Sequence, residues 1–486
     1  MASSDSDHGI FGKWRPRMHL IAPRGWLNDP CAPLYDASTG KYHIGFQWNP
    51  DGWEWGNIAW GAAISEDLIN WKVSETPSIA PSATEDKAGV FTGAVSPINL
   101  PREGSQDHLT CFYTSAQGSN IHYSHLYEKG SEQLHAATSV DGGISWQRCP
   151  QNPILPGPPS HLSVTGWRDP YIFRWPRLDS TRGLTSGSSL YGIISGGIRD
   201  TSPTIFLYTI DEADPTKWSF LSTLVEPGRN FSPTVFGGDF GVNWEVANIV
   251  TLEDQDRKEF DILIVGVEGC KIADETALAG PVPLPRAARS GRSQRWLCGN
   301  LQEPSGNGQS NMNHRFSGVL DWGMFYAANS FHDPVSNQQV VHGWVLEEDL
   351  SDELREAQGW SGFISLPRSL SLQLPGLPSW ELDMSLSSNA NLQTFGIEIF
   401  HSSDHKSLTR ILFEPAQSLI TIDRSRSRDS GPPESIKLHP EVAYHAFLSL
   451  HDKATNTVVP ENLDVKIFFD NIPRIRKVPR DLAVCG

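Results

Sequence analysis

Short apolar, β-branched and aromatic runs, each closed within a few residues by Gly, Pro, Asn or Asp, recur along most of this chain and leave little room for helices. Examples are Tyr42-His43-Ile44-Gly45-Phe46-Gln47-Trp48, Tyr171-Ile172-Phe173-Arg174-Trp175, Phe206-Leu207-Tyr208-Thr209-Ile210 and Asp261-Ile262-Leu263-Ile264-Val265. Such runs read as strands, because branched and aromatic side chains pack well on a pleated surface and the breakers supply the turns. Stretches with a 3.6-residue period are nearly absent. The best helical candidate is the short acidic segment Glu347-Glu348-Asp349-Leu350-Ser351-Asp352-Glu353-Leu354-Arg355-Glu356. With 42 glycines and 35 prolines in 486 residues, turns are closely spaced. An all-β chain built as a propeller or large sandwich is expected.

A Pro/Gly-punctuated joint, Gln373-Leu374-Pro375-Gly376-Leu377-Pro378, separates this pattern from a second one. Beyond it, Phe395-Gly396-Ile397-Glu398-Ile399-Phe400, Thr409-Arg410-Ile411-Leu412-Phe413 and Val465-Lys466-Ile467-Phe468-Phe469 alternate strongly, with one face packed and one wet, as in a sandwich. The expected organisation is an N-terminal extension over 1–18, a catalytic domain over 19–372, a linker over 373–378 and a second β domain over 379–486. Two stretches read as solvated loops. One is 273–311, rich in Ala, Pro, Gly and Ser, with Arg286, Arg289, Arg292 and Arg295 regularly spaced; the other is Arg424-Ser425-Arg426-Ser427-Arg428.

A net charge of −17 argues against a nucleic-acid partner, which needs a basic surface, and suits a neutral small-molecule substrate. No stretch approaches the ~20 apolar residues of a membrane span, so no membrane partner is expected. Residues 1–20 are polar and carry no apolar signal core, which points to an intracellular protein, or to a secreted one if the N-terminus is incomplete. The six cysteines have neither zinc-site nor disulfide-framework spacing, and no metal or cofactor is expected. Asn230-Phe231-Ser232 is a glycosylation sequon, relevant only to an exported chain. Seventeen tryptophans are many. Most are expected to fill sheet cores, but aromatic faces also receive the apolar faces of sugars.

Three carboxylates stand in constrained settings. In Trp26-Leu27-Asn28-Asp29-Pro30 the proline restricts Asp29 to extended backbone, beside an amide and an indole. By itself this is equally an Asp-Pro turn next to a core tryptophan. Trp167-Arg168-Asp169-Pro170 repeats the pattern with an arginine, and Trp244-Glu245 places a glutamate in an apolar run. Glu245 taken singly reads better as a strand residue facing solvent than as a functional acid. Only a closed architecture such as a propeller would bring the three together. Asp169 beside Arg168 is expected to stay ionised, Glu245 to have its pKa raised by desolvation, and Asp29 beside the Asn28 amide to remain anionic. Carboxylates pushed apart in pKa are what glycoside hydrolysis needs.

With these in order, the chain resembles glycoside hydrolase family 32, the invertases, inulinases and fungal fructosyltransferases. The resemblance runs from about His19 to Asn471. It rests on the Trp26 to Pro30 block, Gly45-Phe46-Gln47-Trp48-Asn49-Pro50, Trp55-Gly56-Asn57, Phe91-Thr92-Gly93, Arg168-Asp169-Pro170, Trp244-Glu245, Asp321-Trp322-Gly323 and Gly359-Trp360-Ser361-Gly362. It implies a five-bladed β-propeller followed by a C-terminal β-sandwich, without metal or cofactor. It further implies Asp29 as nucleophile on a β-fructofuranosyl unit, Glu245 as acid/base and Asp169 as stabiliser of the sugar. The implied substrate contacts are Asn28, Gln47, Trp55, Phe91, Thr92, Arg168 and Trp322. Trp322 is equally plausible as a core residue. Two displacements at one carbon retain configuration and imply Asp29 and Glu245 carboxyls roughly 5–5.5 Å apart. The substrate class is sucrose and fructo-oligosaccharides, with hydrolysis and fructosyl transfer both open. A non-catalytic carbohydrate-binding relative and an inverting arabinanase-like propeller are the other classes compatible with such a chain.

The chain also departs from the family. Val246-Ala247 follow Glu245 where Cys-Pro is common, which together with Asp29-Pro30-Cys31-Ala32-Pro33 resembles the fungal branch. Trp60-Gly61-Ala62 stands where Trp-Gly-His is frequent, implying a missing hydrogen-bonding group near the funnel. After Asn471 the basic, proline-containing Ile472-Pro473-Arg474-Ile475-Arg476-Lys477-Val478-Pro479-Arg480 makes a poor strand, so the sandwich is expected to be incomplete.

Overall fold

The computed structural model describes residues 15–469 except 17, 99, 101–108, 119–120, 185–188, 234–237, 255–256, 272–291, 303–309, 322–323, 348–351, 373–379, 388–393, 401–405, 407, 416–418, 424, 427–440, 445–448, 453–456 and 461. The chain divides into two compact units, Met1–Leu372 and Gln373–Gly486. The expected linker, Trp322 and the tail after Asn471 lie outside the described residues.

The first unit is a β-propeller, and its described residues form five sheets that follow one another along the chain. Sheet 1 holds Gly25–Asp36, Lys41–Asn49, Ala59–Ser65 and Trp71–Val73; sheet 2 holds Gly89–Ser96, Leu109–Ala116, Glu132–Ser139 and Gln147–Arg148. Sheet 3 holds Val164–Arg174, Leu190–Ile198, Ser202–Ile210 and Trp218–Thr223; sheet 4 holds Asn243–Glu253, Glu259–Glu268, Ser293–Leu301 and Met312–Asp321. Sheet 5 holds Phe325–Asp333, Gln338–Val345, Phe363–Ile364 and Arg368–Leu370. The first strand of each sheet packs against the first strand of the next, and that of sheet 5 returns to that of sheet 1, closing the ring.

A short segment locks the closure. Trp360–Ser361 pairs in parallel with Gly25 and Trp26 of sheet 1, while Phe363–Ile364 pairs with sheet 5. Gly362 joins them at φ 79°, and a Cβ there would lie 2.0 Å from the Leu27 carbonyl, so only glycine fits. Glu347 Oε2 accepts from the Gly362 N–H at 2.7 Å. Glu347 is therefore a tie to the closing segment and not part of the expected helix, which runs from Asp352 to Gln358. A second short helix, Pro176–Thr181, was not legible in the periodicity; Pro176 opens it, where a missing N–H does no harm.

The core lies between sheets. Trp26, Trp48 and Trp344 pack where sheets 5 and 1 meet, Trp60 between sheets 1 and 2, Trp167 and Trp218 between sheets 2 and 3, and Trp175 and Trp244 between sheets 3 and 4. Most tryptophans that were legible as core candidates are thus core. The long breaker-rich stretch after Ala273 is not one loop, as expected, because Ser293–Leu301 is the third strand of sheet 4 and Arg295 in it is buried. Its apolar residues, Trp296, Leu297 and Cys298, follow a Ser/Gly/Arg run whose composition masks them. Asn230 directs its amide to Asp239 at 2.9 Å and to the Gly269 carbonyl at 2.9 Å, so the sequon side chain is already bonded within the fold.

Among its described residues the second unit holds three antiparallel sheets, and all three alternating segments seen in the sequence fall in their strands. Trp380–Ser387 pairs with Asn462–Phe469, and Ser449–Asp452 with Thr457–Pro460. Phe395–Phe400, Leu408–Glu414, Leu419–Asp423 and Glu441–Tyr444 form a four-stranded sheet.

Candidate active site

Each first strand of the ring carries a β-bulge at a corresponding place, where two residues oppose one. The pairs are Asn28-Asp29, Phe91-Thr92, Asp169-Pro170, Val246-Ala247 and Ala327-Ala328. A bulge interrupts the ladder and re-aims side chains, which is how strands at a barrel or propeller axis present functional groups. Asp169, Val246 and Ala327 occupy the left-handed region at φ 61°, 46° and 50°. That conformation is unfavourable for side chains with a Cβ, so the surrounding packing holds it in place.

Asp29 is buried at the first bulge. Thr92 Oγ1 donates to Asp29 Oδ2 at 2.6 Å, Gln47 Nε2 to the same oxygen at 3.1 Å, and Asn28 Nδ2 to Oδ1 at 3.1 Å. These donors are themselves fixed: Trp26 Nε1 donates to Asn28 Oδ1, Asn28 also reaches Gln47 Oε1, and Gln47 donates to Thr92 Oγ1. The amide of Asn28 and the indole of Trp26 are thus parts of one cradle. The turn reading of the pentapeptide gives way to a strand bulge.

The Asp169 N–H donates to Thr114 Oγ1 at 2.8 Å, and Asp169 Oδ2 accepts from the Val246 N–H at 3.1 Å. Arg168, its neighbour, sends its guanidinium elsewhere. Nε donates to Glu245 Oε1 at 3.0 Å, Nη1 to Glu132 Oε1 at 2.7 Å and Nη2 to Glu268 Oε2 at 3.1 Å. Glu245 Oε2 accepts from the Tyr326 hydroxyl at 2.8 Å, and its side chain keeps 18% exposure. Arg168, Glu245 and Tyr326 each directly precede the left-handed residue of their bulge. They stand at equivalent places on sheets 3, 4 and 5 and form one hydrogen-bonded chain.

The electrostatics reverse the sequence-based expectation for all three carboxylates. Burial pushes Asp29 up to about 6, against the Thr92 and Asn28 hydrogen bonds, and the charge of Glu245 adds to the rise. Burial also holds Asp169 well above the usual carboxylate range, because Arg168 opposes it only in part and Asp29 and Glu245 repel its charge. Glu245 goes the other way: burial would raise it, but Arg168, Arg292 and the Tyr326 hydroxyl together bring it down. Adjacency in sequence misassigned Arg168, whose charge is delivered to Glu245 on the next sheet instead of being reserved for Asp169.

Trp55 stands exposed at 49%, its ring edge-on to the buried Phe91 at 5.7 Å between centroids. The structure thus brings together Asp29, Asp169, Glu245, Asn28, Gln47, Thr92 and Arg168, with Phe91 on the same bulge as Thr92. Ala62 lines a small cavity between sheets 1 and 2 with His43, Trp60 and Trp146. Among the described residues no group of three His, Cys, Asp or Glu is placed to hold a metal ion.

Comparison with known proteins agrees with this geometry. Residues 19–380 match the Glycosyl hydrolases family 32 N-terminal domain, and residues 351–472 match the Glycosyl hydrolases family 32 C terminal. The chain belongs to glycosyl hydrolase family 32. It is 27% identical over 392 residues to a rice beta-fructofuranosidase, insoluble isoenzyme 2, covering 77% of this chain and 56% of that protein. It is 26% identical over 362 residues to the 6(G)-fructosyltransferase of Asparagus officinalis, covering 73% and 52%. The chain therefore spans a little over half the length of these curated relatives. Among solved structures, the fold is similar to Aspergillus kawachii beta-fructofuranosidase complexed with glycerol, with a TM-score of 0.65 and 23% identity over 95% of this chain and 87% of that one. It is also similar to a fructosyltransferase from A. japonicus, with a TM-score of 0.63 and 22% identity over 95% and 88%.

Within this family 32 chain, four groups around the carboxylates were missed in the sequence. Glu132 and Glu268 are buried partners of Arg168, Tyr326 bonds Glu245, and Thr114 faces the second bulged aspartate. Glu268 carried a signal, since it sits in Val265-Gly266-Val267-Glu268-Gly269 much as Glu245 sits in its own apolar run. Tyr326 lies just beyond the Asp321-Trp322-Gly323 motif. The family's proline after the acid/base glutamate would lack an N–H, whereas here the Ala247 N–H donates to Ser195 Oγ at 2.9 Å.

Proposed function

We propose that this chain is a retaining β-fructofuranosidase that hydrolyses sucrose and related β-fructosides through a covalent fructosyl-enzyme intermediate. Asp29 attacks the anomeric carbon, Glu245 protonates the leaving oxygen and then activates the acceptor, and Asp169 holds fructose hydroxyls as positive charge develops. The observation that carries this reading is the convergence of three carboxylates at bulges of different sheets, Asp29 and Asp169 on them and Glu245 directly before one, with Asp29 cradled by Asn28, Gln47 and Thr92 and Glu245 held by Arg168 and Tyr326.

The active ionic form has Asp29 charged and the proton on Glu245. In the free protein burial favours the acid form of Asp29, while Arg168, Arg292 and Tyr326 favour the charged form of Glu245, so the competent arrangement runs against both shifts. Substrate contacts are assigned to Asn28, Gln47, Phe91, Thr92 and the exposed Trp55 at the rim, with Arg168 acting through Glu245 and Trp322 completing the set by motif. Fructosyl transfer shares the same intermediate and competes with water when a sugar hydroxyl occupies the acceptor position. The fructosyltransferase among the relatives is the observation in favour of that second outcome.

The test is purified protein on sucrose, inulin and levan, with Asp29→Asn and Glu245→Gln alongside. Release of fructose with retained configuration, abolished by Asp29→Asn in a folded protein, is the expected result. Inverted product, or full activity of Asp29→Asn, overturns the assignment. Glucose in excess of free fructose at high sucrose reports transfer.

A further inference from the structure

Glu132 opens the third strand of sheet 2 and is 0% exposed, yet the chemistry above makes no use of it. Both of its oxygens are taken up by sheet 3: Oε1 accepts from Arg168 Nη1 at 2.7 Å and Oε2 from the Trp167 backbone N–H at 2.8 Å. This clamp grips the backbone next to Arg168 as well as its guanidinium, whose Nε is bonded to Glu245. A buried carboxylate so placed fixes the plane of the arginine fork and offsets part of its charge before that charge reaches Glu245. We propose that Glu132 is a positioning residue for the acid/base step, setting through Arg168 how readily Glu245 carries the proton it delivers. This rests on Glu245 being the acid/base.

The other charged groups around Glu245 do not replace it. Arg168 and Asp169 face Glu245 from sheet 3, Asp29 from sheet 1 and Tyr326 from sheet 5. Glu268 faces it from its own sheet, Arg292 from the residue just before that sheet's third strand, and His122 from the connection between the second and third strands of sheet 2. Arg168 and Arg292 favour the charged form of Glu245, Arg168 more strongly. Glu268 also pairs with Arg168, but burial and the charge of Glu245 push its own carboxyl up to about 7, so in acidic solution it offsets little. Tyr127 is the further titratable group near Glu132, and burial keeps its phenol neutral.

Loss of the Glu132 charge acts on Glu245 twice in one direction. One anion fewer shares the charge of Arg168, and an anion opposing ionisation of Glu245 disappears. Both effects favour the carboxylate over the acid. In the step concerned, the glycosidic oxygen takes the Glu245 proton as its bond to the anomeric carbon breaks and an Asp29 oxygen bonds to that carbon. A leaving group that departs without protonation bypasses the deficit.

The experiment compares Glu132→Gln with the parent on sucrose and on an aryl β-fructofuranoside with an acidic phenol. Expected are a fall of about tenfold in kcat on sucrose with KM kept, an acid limb of kcat/KM moved down by about one pH unit, and a loss under about threefold on the aryl substrate. Equal losses on both substrates, or an unmoved limb, overturn the proposal. Glu132→Asp keeps the charge at longer reach and is expected to give a smaller change of the same kind. It decides the matter if Glu132→Gln does not fold, since equal losses on both substrates would again overturn the proposal. Glu245→Ala separates the two levels. Selective loss on sucrose with azide rescue on the aryl substrate upholds the acid/base assignment, whatever Glu132→Gln does; absence of both removes that assignment itself.

Discussion

Replacing Thr92 by valine removes one hydroxyl from the Asp29 cradle while keeping its shape. That hydroxyl donates to Asp29 Oδ2 at 2.6 Å and, after burial, is the largest influence on the carboxyl, favouring its charged form. A hydrogen bond to a charged group contributes about 1.5 kcal/mol, which corresponds to about one pKa unit. The pair Asp29 and Glu245 titrates as a unit. Activity needs one proton on it, so kcat/KM falls at high pH as the last proton leaves, near 6, and at low pH as Glu245, held below its ordinary 4.5, is protonated along with Asp29. Because Asp29 is raised and Glu245 lowered, the arrangement with the proton on Glu245 is the less favoured of the two. Thr92→Val raises Asp29 further. The upper limb is expected to move up by about one unit, and the plateau of kcat/KM to fall about tenfold because the competent arrangement becomes rarer. The assay is the pH dependence of kcat/KM on sucrose in both proteins. An upper limb that stays near 6 or moves to lower pH would falsify the account of how Asp29 is held.

Asp29→Asn is expected to stabilise the fold at pH 7 while abolishing turnover. A carboxyl raised from 3.8 to about 6 destabilises the folded state above pH 6 by at most about 3 kcal/mol, a penalty relieved as pH falls toward 3.8. Thermal unfolding at pH 7 and pH 4 checks this: the gain should shrink on acidification, and a gain independent of pH contradicts it. Gly362→Ala places a Cβ against the Leu27 carbonyl and the Trp344 ring at positive φ, and should lower stability by about 2–4 kcal/mol in denaturant titration; a neutral result would show that the closing segment has room to shift. Ala247→Pro removes the N–H bonded to Ser195 and should reduce stability by about 1–2 kcal/mol. An unchanged unfolding midpoint would mean that the contact is dispensable. A crystal structure should place the Asp29 and Glu245 carboxyls roughly 5–5.5 Å apart, and a separation beyond roughly 6.5 Å would indicate inversion.

Strand identity was legible because it depends on local chemistry. The runs Tyr42 to Trp48, Phe206 to Ile210 and Asp261 to Val265 all lie within strands, since alternating or continuous apolar side chains bounded by breakers have few other ways to be buried. Ser293–Leu301 was lost in a region read by composition, where a Ser/Gly/Arg run hides a buried strand. The candidate carboxylates were legible from proline restriction and motif order. Their ionisation was not, because it depends on which sheet a charge is delivered to.

By itself, the sequence determined an all-β chain, a Pro/Gly joint after residue 372, and three candidate acids, two restricted by a following proline and one set in an apolar run. Tertiary structure alone decided how those acids share charge. A bulge in each first strand turns Arg168 away from its neighbour Asp169 and toward Glu245, Glu132 and Glu268, residues remote in sequence. Coulomb interactions and desolvation depend on distance and burial in space, and neither can be read from adjacency along the chain.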